Sequence, residues 1–280
     1  MHVIKNLSSA TLFYLFLSGL IPSLSMAQIT IAPTTLFLTE RSRIANYLVI
    51  NNSDVAQKVS IDFFFGYVKT DESGNRQIVN ESDSLAAFYS LADWLRGFPK
   101  TFTLQPGQRQ TVRIRTTPPS ELEDRTYWAR IRTSSNPLTP SIEEQETDIL
   151  TARISVKIDQ VTGIYLKHGD VSTGIRVNDI TFNKLDGTLN ALVNLDRLGN
   201  SPFIGTITAS ILKNDEILDQ EISTTTIFID GTYAYSFDLN ELESGSYDFS
   251  ITFKTERPDI RKEELVQGKT ETATKGFILE

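Results

Sequence analysis

The chain has 280 residues, 35 of them acidic and 27 basic, with 40% hydrophobic residues, no cysteine and a formal net charge of −8. That balance argues against nucleic acid and anionic lipid as partners, and the missing cysteines exclude disulfides, so stability must come from packing. The first 27 residues read as a secretory signal: Lys5 near the start, an apolar run from Ala10 to Ile21, then Pro22 and the small-residue site Ser25-Met26-Ala27. The apolar run is shorter than the roughly twenty residues of a spanning helix. The expectation is therefore an exported, soluble protein of residues 28–280, long enough for two domains.

Ile29 to Leu38 reads as an opening strand broken by Pro33, which suits a sheet edge. Ala45 to Ile50 is a second strand ending in the turn cluster Asn51-Asn52-Ser53-Asp54, and Lys58 to Phe65 resumes the sheet, its three phenylalanines pointing mostly to the core. Asp71 to Asn75 is a loop. Leu91, Trp94 and Leu95 have helical spacing and predict a short helical or irregular crossing over Ser90 to Gly97. Pro106-Gly107 makes a tight turn between Phe102 to Leu104 and Thr111 to Arg115, where Val112 and Ile114 alternate with Arg113 and Arg115. After turns at Pro118-Pro119 and Glu121 to Asp124 comes a strand from Thr126 to Thr133. A polar connection, Thr133 to Asp148, then leads to the strand Ile149 to Ile158. There Leu150, Ala152, Ile154, Val156 and Ile158 share one face, and Thr151, Arg153, Ser155 and Lys157 share the other.

The second half repeats the class. Leu189 to Leu195, Ile204 to Leu212, Thr225 to Ile229, Tyr233 to Leu239, Tyr247 to Phe253 and a final stretch near Gly276 to Leu279 read as strands. Asp230-Gly231 and Ser244 to Ser246 are turns, and Glu256 to Glu264 is a solvated loop. Short strands at this spacing without a long periodic helix indicate β-sandwiches. The boundary falls at Lys167 to Asp170, giving residues 28–168 and 169–280 as the two domains.

Enzymatic readings find little support. Beyond the signal there is one histidine, His168, at the domain junction, where a structural role is the commoner one. Neither a calcium loop nor a Gly-x-Ser-x-Gly elbow is present, and Gly199 and Gly205 lack the strand-to-helix setting of a phosphate loop. No catalytic residue, metal, cofactor or small-molecule substrate is expected.

Several motifs, in order, resemble the periplasmic chaperones of the chaperone-usher pilus pathway. They are Ile29 to Pro33, Asn51-Asn52-Ser53, Pro99 with Phe102 to Arg115, and Tyr127 to Ile131. The long alternating strand and Leu195 to Asn200 resemble its archaic branch. The resemblance implies an all-β chain of two Ig-like β-sandwich domains in the periplasm of a Gram-negative bacterium. It also implies pilus subunits and an outer-membrane usher as partners, with Leu150, Ala152, Ile154, Val156 and Ile158 as the strand lent to a subunit. Better-known members grip the subunit's C-terminal carboxylate with an arginine in the opening strand and a lysine late in the seventh strand. Thr35 aligns with the arginine, and no lysine stands among Gln160, Val161 and Gly163. Antiparallel pairing of the last two strands nominates Arg130 on one and Lys157 or Arg153 on the other as replacements, with solvated strand-face charges as the alternative. The sequence leaves open whether idle copies self-associate, and an exported Ig-like adhesive or structural protein is the competing reading.

Overall fold

Alternating apolar and polar residues dictate strands throughout, and the computed structural model, which describes residues 28–80, 84–138 and 156–280, is built almost wholly from them. Among the described residues, helix is confined to one turn at Ala86–Tyr89 and short 3-10 turns at Ala92–Trp94 and Lys262–Glu264. In chain order the strands of the first half are β1 (Ile29–Ala32), β2 (Thr35–Thr39), β3 (Ile44–Asn51), β4 (Gln57–Phe64), β5 (Gly66–Thr70) and β6 (Arg76–Asn80). They continue with β7 (Leu95–Phe98), β8 (Thr101–Leu104), β9 (Arg109–Thr116), β10 (Arg125–Pro137) and β11 (Ile158–His168). A four-stranded sheet ordered β1-β3-β9-β7 faces a five-stranded sheet ordered β2-β11-β10-β4-β8. Between them lies an apolar core that includes Leu38, Tyr47, Val49, Ile61, Ile114, Ile131 and Ile164. The opening run is two strands in different sheets: β1 pairs with β3, the chain crosses at the cis Ala32-Pro33 bond, and β2 lies parallel to β11. Asn51 explains the turn cluster. Its buried amide donates to the carbonyls of Leu104 (3.0 Å) and Val55 (2.9 Å) and accepts from Ser53 N (3.0 Å), closing one end of the sandwich.

The second sandwich comprises β12 (Thr173–Leu185), β13 (Thr188–Gly199), β14 (Phe203–Lys213), β15 (Glu216–Ile227), β16 (Gly231–Asp238), β17 (Gly245–Lys254) and β18 (Glu271–Leu279). Its sheets are β12-β13-β16 and β15-β14-β17-β18. The core between them includes Leu189, Val193, Ile207, Ile211, Phe249, Ile251 and Phe253.

The two sandwiches share a local device. Glu121-Leu122-Glu123 precedes Tyr127 with the same spacing as Glu241-Leu242-Glu243 precedes Tyr247. The Tyr127 hydroxyl donates back to the Glu123 carbonyl at 3.2 Å and the Tyr247 hydroxyl to that of Glu243 at 2.6 Å. Each leucine packs on its own core. This tyrosine corner at the start of β10 and of β17 makes those strands equivalent, and each is flanked by two antiparallel partners, β4 and β11 in one case and β14 and β18 in the other.

Several boundaries differ from expectation. The last strand of the first sandwich was expected at Ile149 to Ile158, whereas β11 starts at Ile158 and runs to His168. Gln160 and Thr162 interrupt the apolar alternation, but Ile164 and Leu166 carry it into the core. β10 continues through Thr133 to Pro137, so the expected connection begins later, and residues 139–155 lie outside the described residues. β12 and the β5–β6 hairpin were not read from the sequence, and β15 starts at Glu216 rather than Thr225.

A third apolar cluster joins the sandwiches. Phe65, Tyr67, Trp128 and Tyr165 from the first half pack against Ile204, Phe228, Ile260 and Leu265 from the second. Trp128 and Phe228 have ring centroids 5.0 Å apart. Beside it, Asn200 donates to the carbonyls of Asp124 (2.6 Å) and Asp170 (2.9 Å), and Thr126 Oγ1 donates to Ser201 Oγ at 2.8 Å. Asn200, which ends the second-half motif, is thus a clamp across the junction.

Candidate functional site

β11 has neighbours of unequal length. β10 pairs with all of it, from Ser135 opposite Ile158 to Arg125 opposite His168. β2 begins only at Thr35 opposite Gly163, because the chain has crossed from the other sheet just before. Among the described residues, Ile158 to Thr162 therefore present an open strand edge, bridged at one point by Gln160 Nε2 donating to the Ile29 carbonyl at 2.8 Å. Unpaired edge groups of this kind are a template for another strand.

The side chains along β11 change environment in step. On the core-facing row, Ile164 and Leu166 are buried, Thr162, Gln160 and Ile158 are half-buried, and Val156 is 54% exposed. The row runs out of the sandwich into solvent with its apolar character intact at Ile158 and Val156. Leu150, Ala152 and Ile154, which continue the same alternation in sequence, lie outside the described residues, as does Arg153. On the opposite face Val161 is 52% exposed. Lys157 pairs with Asp159 at 3.2 Å, and Asp159 also accepts from Ser134 Oγ at 2.6 Å. The Ser134 hydroxyl first, and the Lys157 ammonium after it, hold the Asp159 carboxyl below its ordinary range against a smaller opposing effect of burial.

Arg130 and Lys157 do not converge. Arg130 stands opposite Gly163, six positions on from Lys157, which immediately precedes β11; six positions are about 20 Å at the rise of a strand. The strands are antiparallel neighbours as expected, but the register separates the two cations, and Lys157 is engaged by Asp159. Arg130 has a different setting. Its Nε donates to the Gly66 carbonyl at 3.1 Å and its guanidinium lies 5.3 Å from the Phe228 ring centroid, beside the cluster joining the sandwiches. Among the described residues it has no carboxylate partner. Thr35, Gly163 and Arg130 form one lateral row across β2, β11 and β10. Arg130 sits about 10 Å across the sheet from Thr35, and the Tyr165 ring covers Gly163 between them, its Cε2 only 3.1 Å from where a Cβ at Gly163 would stand. Arg132 is two residues further along the same face, its guanidinium 4.5 Å from the Phe64 ring. It is the neighbouring cation that sequence reasoning missed, although the alternation Arg130-Ile131-Arg132 already put both on one face.

Among the described residues no group of histidines and carboxylates could hold a metal ion, and no helix is long and apolar enough to cross a membrane.

No family model and no curated protein matches the chain. Among solved structures it is similar to a chain of the CsuC–CsuE chaperone-tip adhesion subunit pre-assembly complex, from the archaic chaperone-usher Csu pili of Acinetobacter baumannii. That match has 8% identity and a TM-score of 0.47, covering 89% of this chain and 98% of that one. It is also similar to the YadV chaperone, at 9% identity and a TM-score of 0.44 over 90% of this chain and all of that one. A third similar chain is in the Salmonella enterica complex of the SafA pilin with the SafB chaperone, at 11% identity and a TM-score of 0.42, covering 91% and 97%. Each of these structures contains a chaperone.

Proposed function

We propose that this protein is a periplasmic assembly chaperone, not an enzyme, that binds, folds and caps pilus subunits by lending them a β-strand and passes them to an outer-membrane usher. The observation that carries this reading is the core-facing row of β11, buried at Ile164 and Leu166 and continued to the exposed Val156 just before the strand, beside an edge that is open from Ile158 to Thr162 among the described residues. A sandwich lacking its last strand exposes apolar core and unpaired backbone, both of which an added strand satisfies. Val156 and Ile158, continued by Leu150, Ala152 and Ile154, would fill successive pockets in that groove. Each larger side chain contributes about 1.5–3 kcal/mol when fully buried, before the cost of association. The anchor for the subunit's terminal carboxylate is, in this reading, Arg130 with Arg132 beside it, in place of the Arg130 and Lys157 pair suggested by sequence. A guanidinium without a carboxylate partner beside an apolar cluster suits a charge-assisted, bidentate contact.

Co-expression with candidate pilins followed by co-purification tests the proposal. A stable complex that forms with wild type and is lost on Ile154→Asp with Val156→Asp is the expected result. A protein that reaches the cell surface itself and captures no subunit would be an adhesive Ig-like protein instead.

A further inference from the structure

The outer face of the β1-β3-β9-β7 sheet is cationic in an acidic chain. Its four strands carry four arginines and no acidic residue, in a chain with 35 acids. Arg109, Arg113 and Arg115 project from alternate positions of β9, all exposed. β7 adds Arg96, directly opposite Arg115, and the 80%-exposed Phe98, directly opposite Arg113. Like charges facing each other across a strand pair are unfavourable, so the arrangement works against the isolated fold. Arg96 turns to the backbone carbonyls of Asp93 (2.8 Å) and Leu95 (2.7 Å). Among the described residues, none of these four arginines has a carboxylate partner.

The complementary surface is on the second sandwich. β15 is an edge strand with Glu216, Asp219 and Glu221 and no basic residue, and it exposes Ile217, Leu218 and Ile222 beside them. Asp219 and Glu221 lie opposite Ile211 and Ala209 in regular register, so both carboxylates leave one side of the strand. Their spacing is about 6.7 Å, the same pitch that separates Arg113 from Arg115 on β9. Each surface thus offers a pair of charges of matching pitch and opposite sign, with Phe98 beside the arginines and Ile217 and Ile222 exposed on the other side of β15 from the carboxylates.

We propose that this arginine face docks the acidic β15 edge of a second copy of the chain. Each copy has one surface of each kind, so the contact is head-to-tail and can propagate. Its strength rests on exposed ion pairs, which makes it weak and strongly screened by salt. It uses neither β11 nor Arg130, so it stands or fails separately from the function proposed above.

Sedimentation velocity on the mature protein, from about 10 μM to about 1 mM and at about 0.05 and 0.5 M salt, provides the test. Wild type is expected to associate with rising concentration at low salt and to be monomeric at high salt. Arg113→Glu with Arg115→Glu, and separately Asp219→Lys with Glu221→Lys, should each abolish association. Mixing these two variants should restore it, since each then meets its complement. Circular dichroism checks their fold, and the milder Arg113→Gln with Arg115→Gln serves if reversal perturbs it. Val156→Asp should leave association unchanged. A wild type monomeric throughout at low salt, or a mixture no more associated than either variant alone, overturns the proposal.

Discussion

The row along β11 makes one chemical change yield opposite phenotypes at two positions. In the free protein Val156 is 54% exposed and Ile164 is fully buried. Val156→Asp should shift the protein's own stability by no more than about 0.5 kcal/mol, as for an ordinary surface substitution. In a complex the same change loses the valine's remaining burial, about half of the 1.5–3 kcal/mol of a fully buried side chain. It also places an unpaired carboxylate in an apolar groove, at a cost of about 2 kcal/mol or more. The total of about 3 kcal/mol weakens subunit capture by about 100-fold. Val156→Ala, which loses only part of the burial, should weaken it by about 5-fold. Ile164→Asp should instead unfold the first sandwich, since its carboxylate would face Ile131 and the core. Capture is measured by diluting denatured subunit into a titration of chaperone, with thermal unfolding of each variant in parallel. If Val156→Asp keeps affinity within about 3-fold of wild type, the exposed row is not the binding strand and the reasoning from its burial gradient fails.

Arg130→Ala with Arg132→Ala should weaken capture by about 10- to 100-fold, the worth of a partly desolvated charge-assisted contact, against under about 1 kcal/mol for Arg113→Ala with Arg115→Ala on the solvated face. Equal losses at one salt concentration would put the anchor elsewhere. Tyr127→Phe and Tyr247→Phe should each destabilise their own sandwich by about 1 kcal/mol through the lost bond to the Glu123 or Glu243 carbonyl; unchanged urea midpoints for both would deny the corners a structural role. At alkaline pH the second sandwich should be the first to fail. Burial pushes Tyr233 up to about 12, with Arg76 pulling weakly the other way, and burial pushes Tyr235 higher still. Unfolded tyrosine ionises near about 10, so this stability is intact below that pH and is lost as pH rises through about 12. Absorbance at the tyrosinate band and circular dichroism should therefore change together, and full ionisation near pH 10 with the fold intact would contradict the assignment.

Local pattern was enough for the strand class and for much of the first core. The alternation of Val112 and Ile114 with Arg113 and Arg115 places the first pair inside and the second outside, because side-chain direction along a strand has a period of two whatever the partner. The Pro33 break and the turn chemistry at Asn51 were legible for the same reason: they are properties of the residue itself. The repeat linking Glu121-Leu122-Glu123 and Tyr127 to its counterpart 120 residues on was also present in the sequence. Its spacing alone marks the two strands as equivalent.

Register and neighbourhood could not be read along the chain. Arg130 lies on β10 and Lys157 just before its antiparallel neighbour β11, yet a register of Arg130 opposite Gly163 keeps them apart, and nothing in either strand alone specifies that offset. The run of the strand beyond Ile158 to His168 was missed because Gln160 and Thr162 look polar in sequence, while packing against β10 and the core at Ile164 and Leu166 decides how far the strand runs. The cationic face of β9 was visible as alternating arginines, but its pairing with Arg96 and Phe98 of β7 depends on a sheet assembled from residues far apart in the chain. The sequence by itself determined the strand class and, within regular runs such as Val112 to Arg115, which face each side chain takes, since those follow from backbone stereochemistry and local hydrophobicity. Only the tertiary structure decided which strand is left with an open edge and which charges are left without partners, because hydrogen-bond pairing and burial depend on every strand in the sheet at once.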